Sequence, residues 1–131
     1  MSFETRSGKR HPVSSSAQFS IHESTAGGVK LDIPSASIKG ALIDINSCGC
    51  GLDSPYLIPP NTLIKIEIDS TLFADELKQE HRGPIIVTGN VRSCVMKSVG
   101  RYRLGVCFKE IKREDAVFLD NFLKAKELTQ P

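Results

Sequence analysis

Apolar and polar residues alternate along most of the chain, and Thr62 to Ile68, T-L-I-K-I-E-I, shows the pattern most cleanly. Successive side chains of a strand point to opposite faces, so Ile64, Ile66 and Ile68 share one face and Leu63, Lys65 and Glu67 the other. Ser14 to Ile21 alternates more weakly, with Ala17, Phe19 and Ile21 on one side, and predicts a first strand. His22 to Gly28 reads as a turn, and Val29, Leu31 and Ile33 form a short run that Pro34 stops. Ser37 to Ile45 predicts a stronger strand, with Gly49 and Gly51 following at once. Leu52 to Ile58 starts another short strand, broken by Pro55 and closed by Pro59 and Pro60. Ile85 to Met96 predicts a long strand with Ile85, Val87, Val91 and Val95 on one face. Gly100 marks the turn, and Tyr102 to Phe108 returns as the partner strand, Leu104, Val106 and Phe108 sharing a face.

Two segments leave the period of two. Ser70 to Arg82 is polar, with Leu72, Phe73 and Leu77 at helical spacing, and fits either a long hairpin loop or a short helical turn. In Asp115 to Leu128 the residues Val117, Phe118, Asn121, Phe122 and Leu128 recur at helical steps, which predicts an amphipathic helix. Asp115 near its start and Lys124 and Lys126 near its end suit the helix dipole. Met1 to Pro12 has no hydrophobic period and reads as a flexible arm, leaving residues 13–131 as the folded domain. Some six short strands and a terminal helix predict an all-β fold, a small closed or nearly closed barrel. Closure removes unpaired strand edges, and the helix can cover one opening.

A length of 131 residues suits one domain. The net charge of +2 is too small to coat a long polyanion, so no nucleic acid is expected. A barrel that binds single strands also needs exposed aromatic side chains, whereas Trp is absent and Phe108, Phe118 and Phe122 belong to the predicted core. The charge is uneven, however: Arg6, Lys9, Arg10 and His11 cluster in the arm with only Glu4 nearby. A basic arm on a nearly neutral body fits a small anionic ligand, or else a solvated tail.

Cys48, Cys50, Cys94 and Cys107 lack the spacing of a zinc knuckle, so no metal is expected, and they read as free thiols in a reducing cytosol. The polar start predicts no secretory signal, and no apolar run nears the roughly 20 residues that cross a bilayer, so the protein is expected to be cytoplasmic without membrane insertion. His11, His22 and His81 sit beside no nucleophile, and a Ser or Cys nucleophile has no base to activate it, so neither an enzyme nor a cofactor is expected. His11 reads as a solvated loop histidine, or else as an aid to the arginine loop. Lys97, Arg101 and Arg103 read as a basic solvated turn, or as part of a partner surface.

Two constellations carry candidate chemistry. Arg6 and Arg10 form an R-x-x-x-R pair. An arginine fork matches phosphate oxygens and the O6 and N7 edge of guanine, and its plane stacks on a purine. The second constellation is Asp44-Ile45-Asn46-Ser47-Cys48-Gly49, at the end of a predicted strand. Asp44 can accept from guanine N1 and N2, Asn46 points to the same strand face, and Gly49 lets backbone approach closely. Taken alone, this stretch fits a strand-to-turn junction capped by an Asx turn better than a ligand site.

Taken together, the arm with R-x-x-x-R, the strand ending in D-x-N-x-x-G, the barrel and the terminal helix resemble the PilZ domain family, whose ligand motifs are R-x-x-x-R and [D/N]-x-S-x-x-G. Gly89-Asn90-Val91-Arg92 and Tyr102 to Phe108 resemble that family's last strand pair, so the likeness spans nearly the whole chain. The resemblance implies a six-stranded antiparallel barrel with a C-terminal α-helix, whose outer surface binds cyclic di-GMP under the arginine arm. It implies that Arg6 and Arg10 hold guanine faces and phosphates, that Asp44 reads a guanine edge, and that Gly49 permits close approach. Asn46 stands where the family usually has serine, and still offers a donor and an acceptor. The implied role is a receptor that passes the messenger's signal to an effector protein. The alternatives are a degenerate member that binds only proteins and a small nucleic-acid-binding barrel.

Overall fold

The structure, a computed structural model, describes residues 10–24 and 37–129. Thr62–Ile68 folds as the alternation predicts: Ile64, Ile66 and Ile68 are fully buried and Lys65 is exposed. The strands are β1 (His11–Ser24), β2 (Ile38–Ile45), β3 (Gly49–Ser54), β4 (Thr62–Ile68), β5 (Ile85–Ser98) and β6 (Arg101–Ile111). Helix α1 (Thr71–Leu77) follows β4, and α2 (Arg113–Thr129) follows β6. The strands pair antiparallel in the order β1-β2-β3-β6-β5-β4, and β4 closes onto β1. The barrel is therefore six-stranded with a C-terminal helix, the fold expected from the sequence. Strand β1 begins at His11, inside the stretch assigned to the arm, and runs past the expected turn at His22. The run Val29, Leu31 and Ile33 lies outside the described residues.

Strand β3 begins at Gly49, ahead of the start expected at Leu52. Glycine signals a turn in sequence, but here its missing side chain lets strands approach. A Cβ at Gly49 would lie 2.1 Å from the backbone oxygen of Val106, the residue before its ladder partner Cys107 on β6. The Gly49→Ala substitution must push β3 off β6. A loss of about 1–3 kcal/mol is expected, the usual range for overpacking, and urea unfolding measures it.

Strand β5 changes phase along its length. Ile85, Val87 and Val91 point into the core as expected, but Val95 is exposed while Cys94 packs against the core. The pairing of β5 with β6 slips between Val91 and Ser93, and each slip of one residue turns the following side chains over. Alternation counted through the slip therefore assigns Val95 to the wrong face.

The Ser70–Arg82 segment contains the short helix of the two readings offered for it. Asp69 Oδ1 accepts from Thr71 N at 3.0 Å and Thr71 Oγ1 at 2.7 Å, which holds its carboxyl below the usual carboxylate range. Lys78 ends α1 in the left-handed conformation. Phe73 of α1 meets Phe122 of α2 edge-on, ring centroids 4.5 Å apart. Helix α2 buries Phe118, Leu119, Phe122 and Leu123, a face turned away from Val117 and Leu128, which are exposed. Each large side chain so buried contributes about 1.5–3 kcal/mol.

Asp115 is not simply a dipole partner. It is buried, pairs with His81 Nε2 at 2.6 Å, and accepts from Ile86 N at 3.1 Å. His81 stacks on Phe118 at 4.1 Å, so the loop before β5 is tied to the first turn of α2. His11 also departs from its expectation: it is buried in β1, and among the described residues neither ring nitrogen has a hydrogen-bond partner.

Candidate anion-binding site

Asp44 pairs across the ladder with Gly51 of β3, Gly51 with Gly105 of β6, and Gly105 with Ser93 of β5. The residues next to this row, Ile45, Cys50, Val106 and Val91, are all in the core. Alternation therefore sets the row Asp44–Gly51–Gly105–Ser93 on the outer wall of the barrel. Two of its four members are glycine, and side-chain oxygens of their neighbours take the room the missing side chains leave. A Cβ at Gly51 would stand 2.9 Å from Asp44 Oδ1, and one at Gly105 would stand 2.5 Å from Ser93 Oγ.

The Asp44 carboxylate is mostly buried and is gripped from both sides. Arg10 Nη1 donates to Oδ1 at 3.0 Å, and Arg103 Nη2 donates to Oδ2. Arg10 comes from the residue before β1 and Arg103 from β6, and both guanidiniums remain partly in water. Arg92, with Arg10, Asn46, Ser93 and Gly105, lines a groove of about 140 Å³ beside this pair. Among the described residues Arg92 is exposed and has no carboxylate partner. Two guanidiniums thus grip one carboxylate and a third lines the groove beside them, which leaves two positive charges in excess on this part of the sheet. Below it, burial pushes the Cys50 thiol up to about 12, partly offset by Arg10 and reinforced by Asp44, so Cys50 stays protonated.

The second sequence motif also has a structural duty. Asn46 is buried, and its Oδ1 accepts from Cys48 N at 2.8 Å and Gly49 N at 2.9 Å. Its own N–H donates to the Gly49 carbonyl at 2.9 Å, and Phe108 N donates to the Cys48 carbonyl at 2.8 Å. This is the Asx-type turn that the stretch offered as its simpler reading, latched to β6. Asn46 closes the β2–β3 turn, Gly49 lets β3 reach β6, and together they fix the strand end that carries Asp44.

Of the residues expected at a site, Arg10, Asp44 and Asn46 come together, and Gly49 sits behind them against β6. Arg6 lies outside the described residues. Arg103 and Arg92 were not expected here. Arg103 carried one usable signal: it sits two residues before Gly105, and therefore on the same strand face. Alternation sets Arg92 on the face opposite Val87 and Val91, and it is exposed, but no spacing in the sequence brings it beside Arg10. No group of His, Cys, Asp and Glu able to hold a metal occurs among the described residues.

A closed antiparallel barrel with a polar strip on its outer wall and a helix packed on its core defines the class of domain. The sequence matches the PilZ domain over residues 4–125, and the chain belongs to the PilZ family. The fold is similar to the PilZ domain of YcgR from Escherichia coli with c-di-GMP, at TM-score 0.60 and 14% identity over 95% of this chain and 93% of that one. It is also similar to the Bacillus subtilis inhibitor of motility MotI/DgrA, at TM-score 0.66 and 13% identity over 98% of this chain and 54% of that one. PlzA of Borreliella burgdorferi in complex with c-di-GMP matches at TM-score 0.56 and 14% identity, over 91% of this chain and 41% of that one. The chain thus spans about half or less of the latter two proteins. No curated protein sequence matches it significantly.

Proposed function

We propose that the protein is a cytoplasmic cyclic di-GMP receptor that catalyses nothing and relays the messenger to an effector protein. The observation that carries the reading is the Asp44 carboxylate, held between Arg10 and Arg103 over a glycine strip. A carboxylate has about four lone-pair positions, so Asp44 can keep Arg103 while accepting from N1 and N2 of a guanine. Glycine at position 51 leaves the room in which the Asp44 carboxylate lies, and so sets the acceptor that meets the base. The two surplus positive charges match the two phosphodiester charges of the ligand. Arg10 and Arg6 supply forks for phosphate and for guanine O6 and N7, and Arg92 faces the second phosphate. Family membership and the c-di-GMP held by the YcgR and PlzA structures support the same ligand.

A degenerate, protein-binding domain is the second reading, favoured by one observation: Asn46 replaces the usual serine and commits its oxygen to the turn. Calorimetric titration separates the two, with GTP and cyclic di-AMP as controls. Micromolar or tighter binding of cyclic di-GMP is expected, a free energy of about −8 kcal/mol. Absence of heat and of any thermal shift at saturating ligand would leave the degenerate reading standing. Arg10→Ala and Arg6→Ala are each expected to weaken binding about 10- to 100-fold, because a charge-assisted hydrogen bond contributes about 1.5–3 kcal/mol. Lysine at either position should restore it only in part, lacking the planar fork. Alanine variants that bind like the parent would remove these arginines from the site.

A further inference from the structure

Strand β5 outruns its neighbour. Strand β4 pairs with it from Ile85 to Asn90, and the last link is the Asn61 N–H donating to the Val91 carbonyl at 2.8 Å. From Arg92 to Ser98 the strand pairs with β6 alone among the described residues. Its other edge therefore presents backbone N–H and C=O groups without a strand partner there, the arrangement onto which an extended peptide can add. The same segment exposes apolar side chains: Val95 is 51% exposed, Met96 60%, and Val99 at the hairpin tip 95%. Basic residues flank them, Arg92 and Lys97 on β5 and Arg101 across the tip, where Asp53 is the acidic group within reach of Arg101 at 3.2 Å.

We propose that the outer edge of β5 from Ser93 to Met96 is a docking site for a partner protein, which adds an extended segment of apolar residues flanked by acidic ones. Each half of that description comes from the surface. Unpaired backbone along the edge selects an extended chain, exposed Val95 and Met96 select apolar side chains on it, and Arg92 and Lys97 at the two ends select acids. A second copy of this chain fits worse. Antiparallel self-pairing would bring Arg92 and Lys97 of one copy against Lys97 and Arg92 of the other, and like charges facing across strands are destabilising. The slips after Val91 and Met96 also confine regular pairing to a short window, a device that guards edges against self-association. Arg92 and Ser93 line the anion groove as well, so the docking edge begins where the groove ends. The two sites share Arg92 and Ser93, and Cys94 to Lys97 of the docking edge lie beyond the groove.

The test is selection of a phage-displayed library of random twelve-residue peptides on the full chain, with Met96→Glu/Lys97→Glu as the counter-target. Enriched peptides should carry Val, Ile or Phe flanked by Asp or Glu. A synthetic copy of the leading peptide should slow amide hydrogen exchange at Ser93 to Met96. It should bind the double variant at least tenfold more weakly, with the melting temperature of that variant unchanged. Lys97→Glu alone, at an exposed position, serves the same comparison if the double variant melts early. Four results overturn the proposal. They are no enrichment, neutral or basic consensus peptides, exchange protection elsewhere on the chain, and a dimer in analytical ultracentrifugation that the same substitutions dissolve.

Discussion

Asp44→Ala is expected to lower the affinity for cyclic di-GMP by at least 100-fold, the largest effect of any single change at the site. Two contributions combine. The guanine N1 and N2 donors lose their acceptor, and a hydrogen bond to a charged group contributes about 1.5–3 kcal/mol. Arg10 and Arg103 also lose the carboxylate that both of them grip. Their guanidiniums become free to move into solvent, so the donors that should meet the phosphates are no longer held in place. Together these amount to about 3 kcal/mol or more, and each 1.4 kcal/mol is a factor of ten. The fold should survive, because both arginines already reach water. Calorimetry at constant salt, with a melting curve for each variant, checks both halves. Asp44→Asn keeps one acceptor oxygen and the size of the group, and should recover part of the binding. An Asp44→Ala variant that binds within tenfold of the parent would place the ligand elsewhere on the barrel.

Asn46→Leu is expected to destabilise the fold by about 2–5 kcal/mol. Its Oδ1 serves Cys48 N and Gly49 N in a buried turn, and leaving a buried donor without an acceptor costs about 1–3 kcal/mol each. Read as a ligand contact alone, Asn46 would tolerate leucine without effect on folding; the turn it caps makes that expectation untenable. Asn46→Ser should lose less, since a hydroxyl oxygen can accept from the same turn. Its binding should stay within about tenfold of the parent, a change under about 1.4 kcal/mol. Urea unfolding of both variants, followed by titration of whichever is folded, separates the two roles. A leucine variant as stable as the parent would show that the turn does not depend on this side chain.

Much of the barrel was legible because short-range pattern and burial agree in it. Thr62 to Ile68 alternates without interruption, and its three isoleucines are fully buried. The same holds for Ala17 and Phe19 of β1 and for Leu104, Val106 and Phe108 of β6. The terminal helix was legible as a helix but not in its orientation. Exposed Val117 and buried Leu119 have the same apolar character, and only packing on the barrel chooses between them.

Local sequence by itself determined the strands, the helix, the turn at the end of β2, and the types of residue able to meet an anion, because each depends on neighbours a few positions away. Only the tertiary structure decided what those residues do. Asp44 meets Arg10 across 34 positions and Arg103 across 59, and His81 meets Asp115 across 34, separations over which spacing carries no information. Gly49 and Gly51 read as turn residues, and Gly105 as an ordinary strand position, until the strands beside them are placed. Their missing side chains then prove to be the room that neighbouring backbone or side-chain oxygens occupy. Ladder slips likewise leave no mark in the pattern of apolar residues, so the faces of Cys94 and Val95 on β5 follow from pairing with β6 and not from the order of the residues.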